Sequence, residues 1–149
     1  MKESKTEIYE RILYFFKHSQ NSKRITRYSE LVNLLFNNFQ YMDWVGFYEK
    51  DNEKDELYLS VYVGSEACEI IPVHKGVCGK CFAEEKTQLE NDVASLPYHI
   101  ACSSTTKSEI VVPVFDENKC VAVLDIDSDN PSSFDEIDKK YLEEIVKYL

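Results

Sequence analysis

Three cysteines, Cys68, Cys78 and Cys102, sit among small or turn-forming residues instead of inside apolar runs. Their contexts are Glu66-Ala67-Cys68, Gly76-Val77-Cys78-Gly79 and His99-Ile100-Ala101-Cys102-Ser103-Ser104. Downstream, two strand-like runs carry carboxylates: Ser108-Glu109-Ile110-Val111-Val112-Pro113 and Val123-Leu124-Asp125-Ile126-Asp127-Ser128. A thiolate is a nucleophile that can pass through sulfenic acid and disulfide states. A carboxyl group can move a proton or hold a cation. Thiols that reach one another beside such carboxyls suggest redox chemistry on a small polar molecule.

Two competing readings belong beside this one. A lone cysteine is usually a small buried hydrophobe, and Cys81 and Cys120 are expected to be that. Cys78-Gly79-Lys80-Cys81 has the CxxC spacing of zinc sites and redox helices. A structural zinc site needs a second ligand pair, which here would have to come from scattered Cys68, Cys102, His74 or His99. A thioredoxin-like redox helix needs a βαβ context that is missing. No metal is expected.

The elements that must position these groups follow from hydrophobic periodicity. Ser4-Lys5-Thr6-Glu7 has capping-box spacing, and Ile8, Ile12, Phe15 and Phe16 recur near helical spacing. A polar break is expected at residues 18–22. Tyr28, Leu31, Val32, Leu35, Phe36 and Phe39 mark a second helix. Residues 43–49 are aromatic and β-favouring, and a polar turn at 51–55 precedes strict alternation at Leu57, Leu59, Val61 and Val63. Cys68 to Val73 reads as another short strand, and Cys78 to Glu85 as a short helix after Gly76. Residues 91–106 show no period and read as a long loop, a length often functional in compact domains. Strands at 109–115 and 120–127 form a hairpin. Ser133-Phe134-Asp135-Glu136 reads as a second capping box, and Ile137, Tyr141, Ile145 and Tyr148 as the apolar side of a last helix. Hairpin-connected strands imply a largely antiparallel sheet with helices packed on it, an α+β fold in one domain, 1–149.

Composition narrows the function. The 149 residues carry a formal net charge of −10. Nucleic-acid binding and attraction to anionic membranes both need clustered cations, so neither partner is expected. No run is long and apolar enough to span a bilayer. No secretory signal is apparent, so a cytoplasmic location is expected. Five cysteines without such a signal do not suggest a structural disulfide framework.

Trp44-Val45-Gly46-Phe47-Tyr48, together with the cysteine and carboxylate motifs above in the same order, resembles the free methionine-(R)-sulfoxide reductases, which are single-domain GAF proteins. The resemblance covers nearly the whole chain. It implies a GAF-like central antiparallel sheet flanked by helices, a homodimer, and reduction of free L-methionine (R)-sulfoxide. It further implies no bound cofactor and recycling by an external dithiol such as thioredoxin. By position, Cys102 matches the nucleophile, Cys68 the resolving thiol that closes a Cys68–Cys102 disulfide, and Cys78 a third cysteine able to enter exchange. The order of attack between Cys78 and Cys102 stays open. His99, Lys107 or loop N–H groups could activate Cys102.

Glu109, Asp125 and Asp127 match carboxylates of the family's site. One would protonate the sulfoxide oxygen and the others would hold the substrate ammonium. Asp125 and Asp127, two apart on a strand, leave the same face. Trp44 and Tyr48 match aromatic residues of the pocket, also share a face, and would wall the S-methyl group. Ser103 and Tyr98 depart from the family's usual aspartate and glycine, which bears on loop geometry. The rival readings are a GAF sensor holding a small ligand and a redox switch without turnover.

Overall fold

The computed structural model describes residues 2–19 and 23–149. Its helices are α1 (Lys5–His18), α2 (Arg24–Asn38), α3 (Gly76–Glu84) and α4 (Glu136–Ile145). Its strands are β1 (Trp44–Lys50), β2 (Glu56–Val63), β3 (Ile70–Pro72), β4 (Gln88–Glu90), β5 (Ser108–Asp116) and β6 (Lys119–Ser128). They form one sheet in the order β3-β2-β1-β6-β5-β4, with every neighbouring pair antiparallel. This is the α+β architecture expected. The polar break expected at 18–22 falls partly on residues 20–22, outside the described residues; α1 itself ends at His18. No helix among the described residues is long and apolar enough to cross a membrane.

The two faces of the sheet do different work. Val45 and Phe47 of β1, Ile110, Val112 and Val114 of β5, and Ala122, Leu124 and Ile126 of β6 bury one face under α1, α2 and α4. The alternate residues Trp44, Tyr48, Val111 and Val123 face the other way, under α3 and a second, smaller cluster. Period two in the strands thus sends apolar residues to a main core and leaves the chemistry-bearing ones on the opposite face. Gly79 lets α3 lie against β3: a Cβ there would sit 2.7 Å from the Pro72 carbonyl oxygen.

Two helix readings need correction. The capping box Ser4–Glu7 forms as expected, but the one at Ser133–Glu136 does not. Asp135 caps α4, with Asp138 reaching back to its N–H. Ser133 instead shares its hydroxyl with Ser128 and the Asn130 carbonyl. The buried side of α4 is Asp138, Tyr141, Leu142 and Ile145, while Ile137 and Tyr148 are exposed. Phe15 likewise points outward, and Tyr9, Ile12, Leu13 and Phe16 face the core.

Asp138 explains the shift. Its fully buried carboxylate accepts from Tyr9 Oη at 2.6 Å and Tyr41 Oη at 2.7 Å and pairs with Lys5 Nζ at 2.5 Å. It ties α1, the α2–β1 connection and α4 together. Asp138→Ala leaves the buried Tyr9 hydroxyl and the half-buried Tyr41 hydroxyl without their acceptor, while Lys5 keeps Asp135 at 3.0 Å. It is expected to cost about 2–5 kcal/mol in urea unfolding, at about 1–3 kcal/mol for each hydroxyl left unpaired. A loss below about 1 kcal/mol would show that the network is dispensable.

Candidate active site

The site lies on the smaller-core face of the sheet, where register, not sequence proximity, assembles it. Trp44 of β1 pairs with Asp127 of β6, and Asp127 pairs with Glu109 of β5. Glu109 in turn pairs with Glu90 of β4. The next row holds Gly46, Asp125 and Val111. Cross-strand partners point to the same face, so three carboxyls converge although Glu109 is separated from the other two by a hairpin.

Above them run α3 and the loop of residues 91–106. Gly76 opens α3 at φ +62°, and a Cβ there would meet Ile100 at 3.0 Å. That glycine lets the loop seat on the helix and places Cys78 one turn in, buried. Cys68 and Cys102, 34 residues apart, are joined by a disulfide with Cα atoms 5.2 Å apart. This is the pairing that the family resemblance implies. Tyr98 anchors the loop: its hydroxyl donates to Glu90 Oε1 at 3.1 Å and accepts from Lys80 at 3.3 Å. The departure from glycine at this position therefore supplies a strut between α3, the loop and β4.

Cys78, Cys102, His99, Ser103, Thr106, Glu109, Asp125 and Asp127 line a cavity of about 20 Å³. A much larger concavity of about 670 Å³ lies between β5 and α4, around Phe115, Lys139 and Glu143. It is lined by no cysteine, so the thiol chemistry belongs to the small cavity. Cys81 and Cys120 are buried and hydrogen bond to the Val111 and Ala122 carbonyls at 3.5 and 3.4 Å. Burial pushes the Cys120 thiol up to about 11 and the Cys81 thiol higher still. Both behave as core residues, as expected.

Burial dominates the electrostatics. It holds the Glu109 and Asp127 carboxyls well above the usual carboxylate range, and the charge of Asp125 pushes both further. Asp125 is also raised by burial, but hydrogen bonds from Glu109, Asp127 and Cys78 work in the opposite direction. Asp125 is thus the member whose ionised form these neighbours oppose least. The Cys78 thiol is raised well above its ordinary value by burial and then by the Asp125 and Glu109 charges. His99 Nε2 stands 3.8 Å from Glu109 Oε1, and burial lowers its pKa, so it faces the acid group as a neutral ring. Asp125 Oδ1 and Asp127 Oδ1 have no hydrogen-bond partner, and neither does Trp44 Nε1.

The aromatic residues sit differently from a simple pocket wall. Trp44 and Tyr48 share the face, with ring centroids 6.1 Å apart. Neither lines the small cavity in this disulfide form. The Tyr48 hydroxyl donates to the Cys68 carbonyl at 2.9 Å, so Tyr48 also positions the Cys68 segment. Trp44 lies in a recess that the sequence reading missed. A Cβ on Gly64 would fall 2.2 Å from Trp44 Cδ1, and one on Gly46 would fall 2.5 Å from Cη2. Tyr62 stacks on the indole at 5.5 Å. The signal was present in Val63-Gly64-Ser65, a glycine at a strand end, but nothing local tied it to Trp44.

Gly64 also adopts φ +142°, where a side chain is strained. Gly64→Ala is expected to cost about 1–3 kcal/mol through overpacking and strain. It should also displace the indole. Trp44 is the sole tryptophan, so a red-shifted emission maximum reads the displacement directly. Unchanged emission would show that the recess has no role.

A curled antiparallel sheet, with helices on one face and a loop-covered pocket on the other, is the build of a GAF domain. The GAF domain model matches residues 28–149. GAF domain-containing protein A of Dictyostelium discoideum is 43% identical over 99% of this chain and 94% of its own length. The free methionine-R-sulfoxide reductase of Escherichia coli is 39% identical over 78% of this chain and 69% of its own. The crystal structure of free methionine-R-sulfoxide reductase from Neisseria meningitidis with its substrate superposes with a TM-score of 0.88 at 37% identity. That superposition covers 99% of this chain and 89% of the other. The chain belongs to the GAF domain family, within its free methionine-R-sulfoxide reductase branch.

Proposed function

We propose that this protein reduces free L-methionine (R)-sulfoxide to methionine. The observation that carries the reading is the Cys68–Cys102 disulfide closing over the cavity that holds Glu109, Asp125 and Asp127. A disulfide facing proton-bearing carboxyls is the state a sulfoxide reductase reaches after one turnover. The relatives' activity at about 40% identity supports the same reading.

In the cycle, the Cys102 thiolate attacks the sulfoxide sulfur while Glu109 donates a proton to the sulfoxide oxygen. The S–O bond of the substrate breaks as the protonated oxygen passes to the Cys102 sulfur, so methionine leaves and Cys102 is left as a sulfenic acid. The Cys68 thiol then displaces that oxygen as water and forms the Cys68–Cys102 disulfide. An external dithiol, of the thioredoxin type, takes the disulfide by exchange and restores both thiols. Cys102 is favoured over Cys78 as the first attacker because Cys78 is buried among acids that suppress its thiolate.

Asp125 and Asp127 take the substrate ammonium. Trp44 walls the methyl group once the site opens. A cavity of about 20 Å³ holds roughly one water and not an amino acid. Reduction must therefore release Cys102 and let the loop of residues 91–106 move before substrate enters. The active unit is a homodimer, which sedimentation of the purified protein checks.

The experiment is consumption of methionine sulfoxide epimers by purified protein with a dithiol. The free R epimer should disappear, while the S epimer and sulfoxide within a peptide persist. Consumption of neither epimer would favour a sensor or a redox switch without turnover.

A further inference from the structure

We propose that the disulfide form of this protein binds a single zinc ion through Cys78, Glu109 and Asp125, with a water in the fourth position. The thiol sulfur and the two carboxylate oxygens all lie within 4.8 Å of one another, and all three residues are buried. Zinc takes thiolate at about 2.3 Å and nitrogen or oxygen at about 2.0 Å. The ligand atoms of a tetrahedral site therefore stand roughly 3.2–3.8 Å apart, which small rotations of these side chains reach.

An independent observation points to a ligand here. Asp125 is 5% exposed, lines the cavity and leaves Oδ1 without a hydrogen-bond partner. Asp127 Oδ1, beside it, is also unpartnered. His99 Nε2 stands 3.8 Å from Glu109 but is not one of the clustered ligand atoms, so the fourth position falls to water. The cavity, at about 20 Å³, admits an ion and excludes an amino acid. Three donors come from α3, β5 and β6, elements that hold their geometry when the loop moves.

The donor chemistry selects the metal. Calcium and magnesium need six or more hard oxygen ligands. One thiolate, two carboxylates and a water suit zinc. This set is not the CxxC pair read from the sequence, because Cys81 turns to the Val111 carbonyl. Binding is not a redox step: the Cys78 thiol loses its proton to solvent and gains the metal. It uses the pocket of the proposed reductase but not its turnover, so either reading can fail alone. An ion held there occupies the acid groups that the reductase needs, and zinc becomes its inhibitor.

Cobalt(II) titration of the oxidised protein, stripped with chelator and kept free of added thiol, tests the site. A sulfur-to-cobalt charge-transfer band in the near ultraviolet should rise to one equivalent and vanish when zinc is added. Cys78→Ser should abolish it, and Glu109→Gln or Asp125→Asn should weaken binding at least tenfold, as expected for loss of a direct ligand. The double variant Cys81→Ser, Cys120→Ser should keep the band. That variant decides the matter should Cys78→Ser fail to fold. No band, cobalt bound without one, a band that survives Cys78→Ser, or a band lost from the double variant would overturn the proposal.

Discussion

Cys102→Ser is expected to reduce turnover of free methionine (R)-sulfoxide by at least about a thousandfold, the scale of losing a covalent nucleophile. The serine hydroxyl is close in size to the thiol, so the half-buried position keeps its packing. A hydroxyl does not ionise near neutral pH, and it cannot take oxygen from sulfur. Binding should survive, because the ammonium and methyl contacts come from other elements. Cys78→Ser separates the roles. It should leave a single turnover intact and slow only steady-state recycling, since exchange with the external dithiol is the step Cys78 can enter. Equal loss from both variants at the first turnover would reassign the nucleophile.

Glu109→Gln carries the second large effect. An unassisted oxide is a poor leaving group, and a positioned acid contributes about 10²–10⁴-fold, so kcat should fall by that factor with KM little changed. Burial holds the Glu109 carboxyl well above its usual range, so it keeps its proton to a higher pH than a free carboxylic acid. Activity should decline as pH rises through the raised value. Stability has the same sign. The fold favours the protonated acid, so this contribution is complete below the ordinary carboxylate value of 4.5 and is lost progressively as pH rises toward the folded value. Glutamine has no proton to lose. Melting temperatures should therefore shift in favour of Glu109→Gln between pH 5 and pH 8, while its activity is low throughout. A variant that is active, or that melts with the same pH trend as the parent, removes Glu109 as the acid.

The sheet was readable because its residues alternate. Leu57, Leu59, Val61 and Val63 declare β2, and Asp125 and Asp127 declare a shared face, without knowledge of any partner. The three-residue strand β4 was not readable, since an edge strand that short carries no period. The start of α4 was misread for a different reason. Ser133 and Glu136 have the right local spacing, but Asp138 is drawn inward by Tyr9, Tyr41 and Lys5, which lie 97 or more positions away. Spacing rules see only a turn of helix; a buried ion pair selects the register from a distance.

The site divides along the same line. The cysteines and carboxylates were identifiable from motif order, but their meeting depends on Glu109 facing Asp127 across a hairpin. That hairpin contains an irregularity between Val114 and Phe115, and one residue of slip would turn Glu109 to the opposite face. The recess under Trp44 and the strut through Tyr98 depend on contacts between elements and leave no local trace. His99, one of three candidate activators of Cys102 beside Lys107 and the loop N–H groups, lines the cavity with Cys102 and stands 3.8 Å from Glu109.

A single-turnover reaction tests the sulfur chemistry most directly. Fully reduced protein, freed of reductant, is mixed with excess methionine (R)-sulfoxide and then mapped by mass spectrometry. One equivalent of free methionine per chain, with a new bridge between the peptides of Cys68 and Cys102, is the predicted outcome. Absence of methionine, or an oxidised Cys78 while Cys102 stays a thiol, would contradict it.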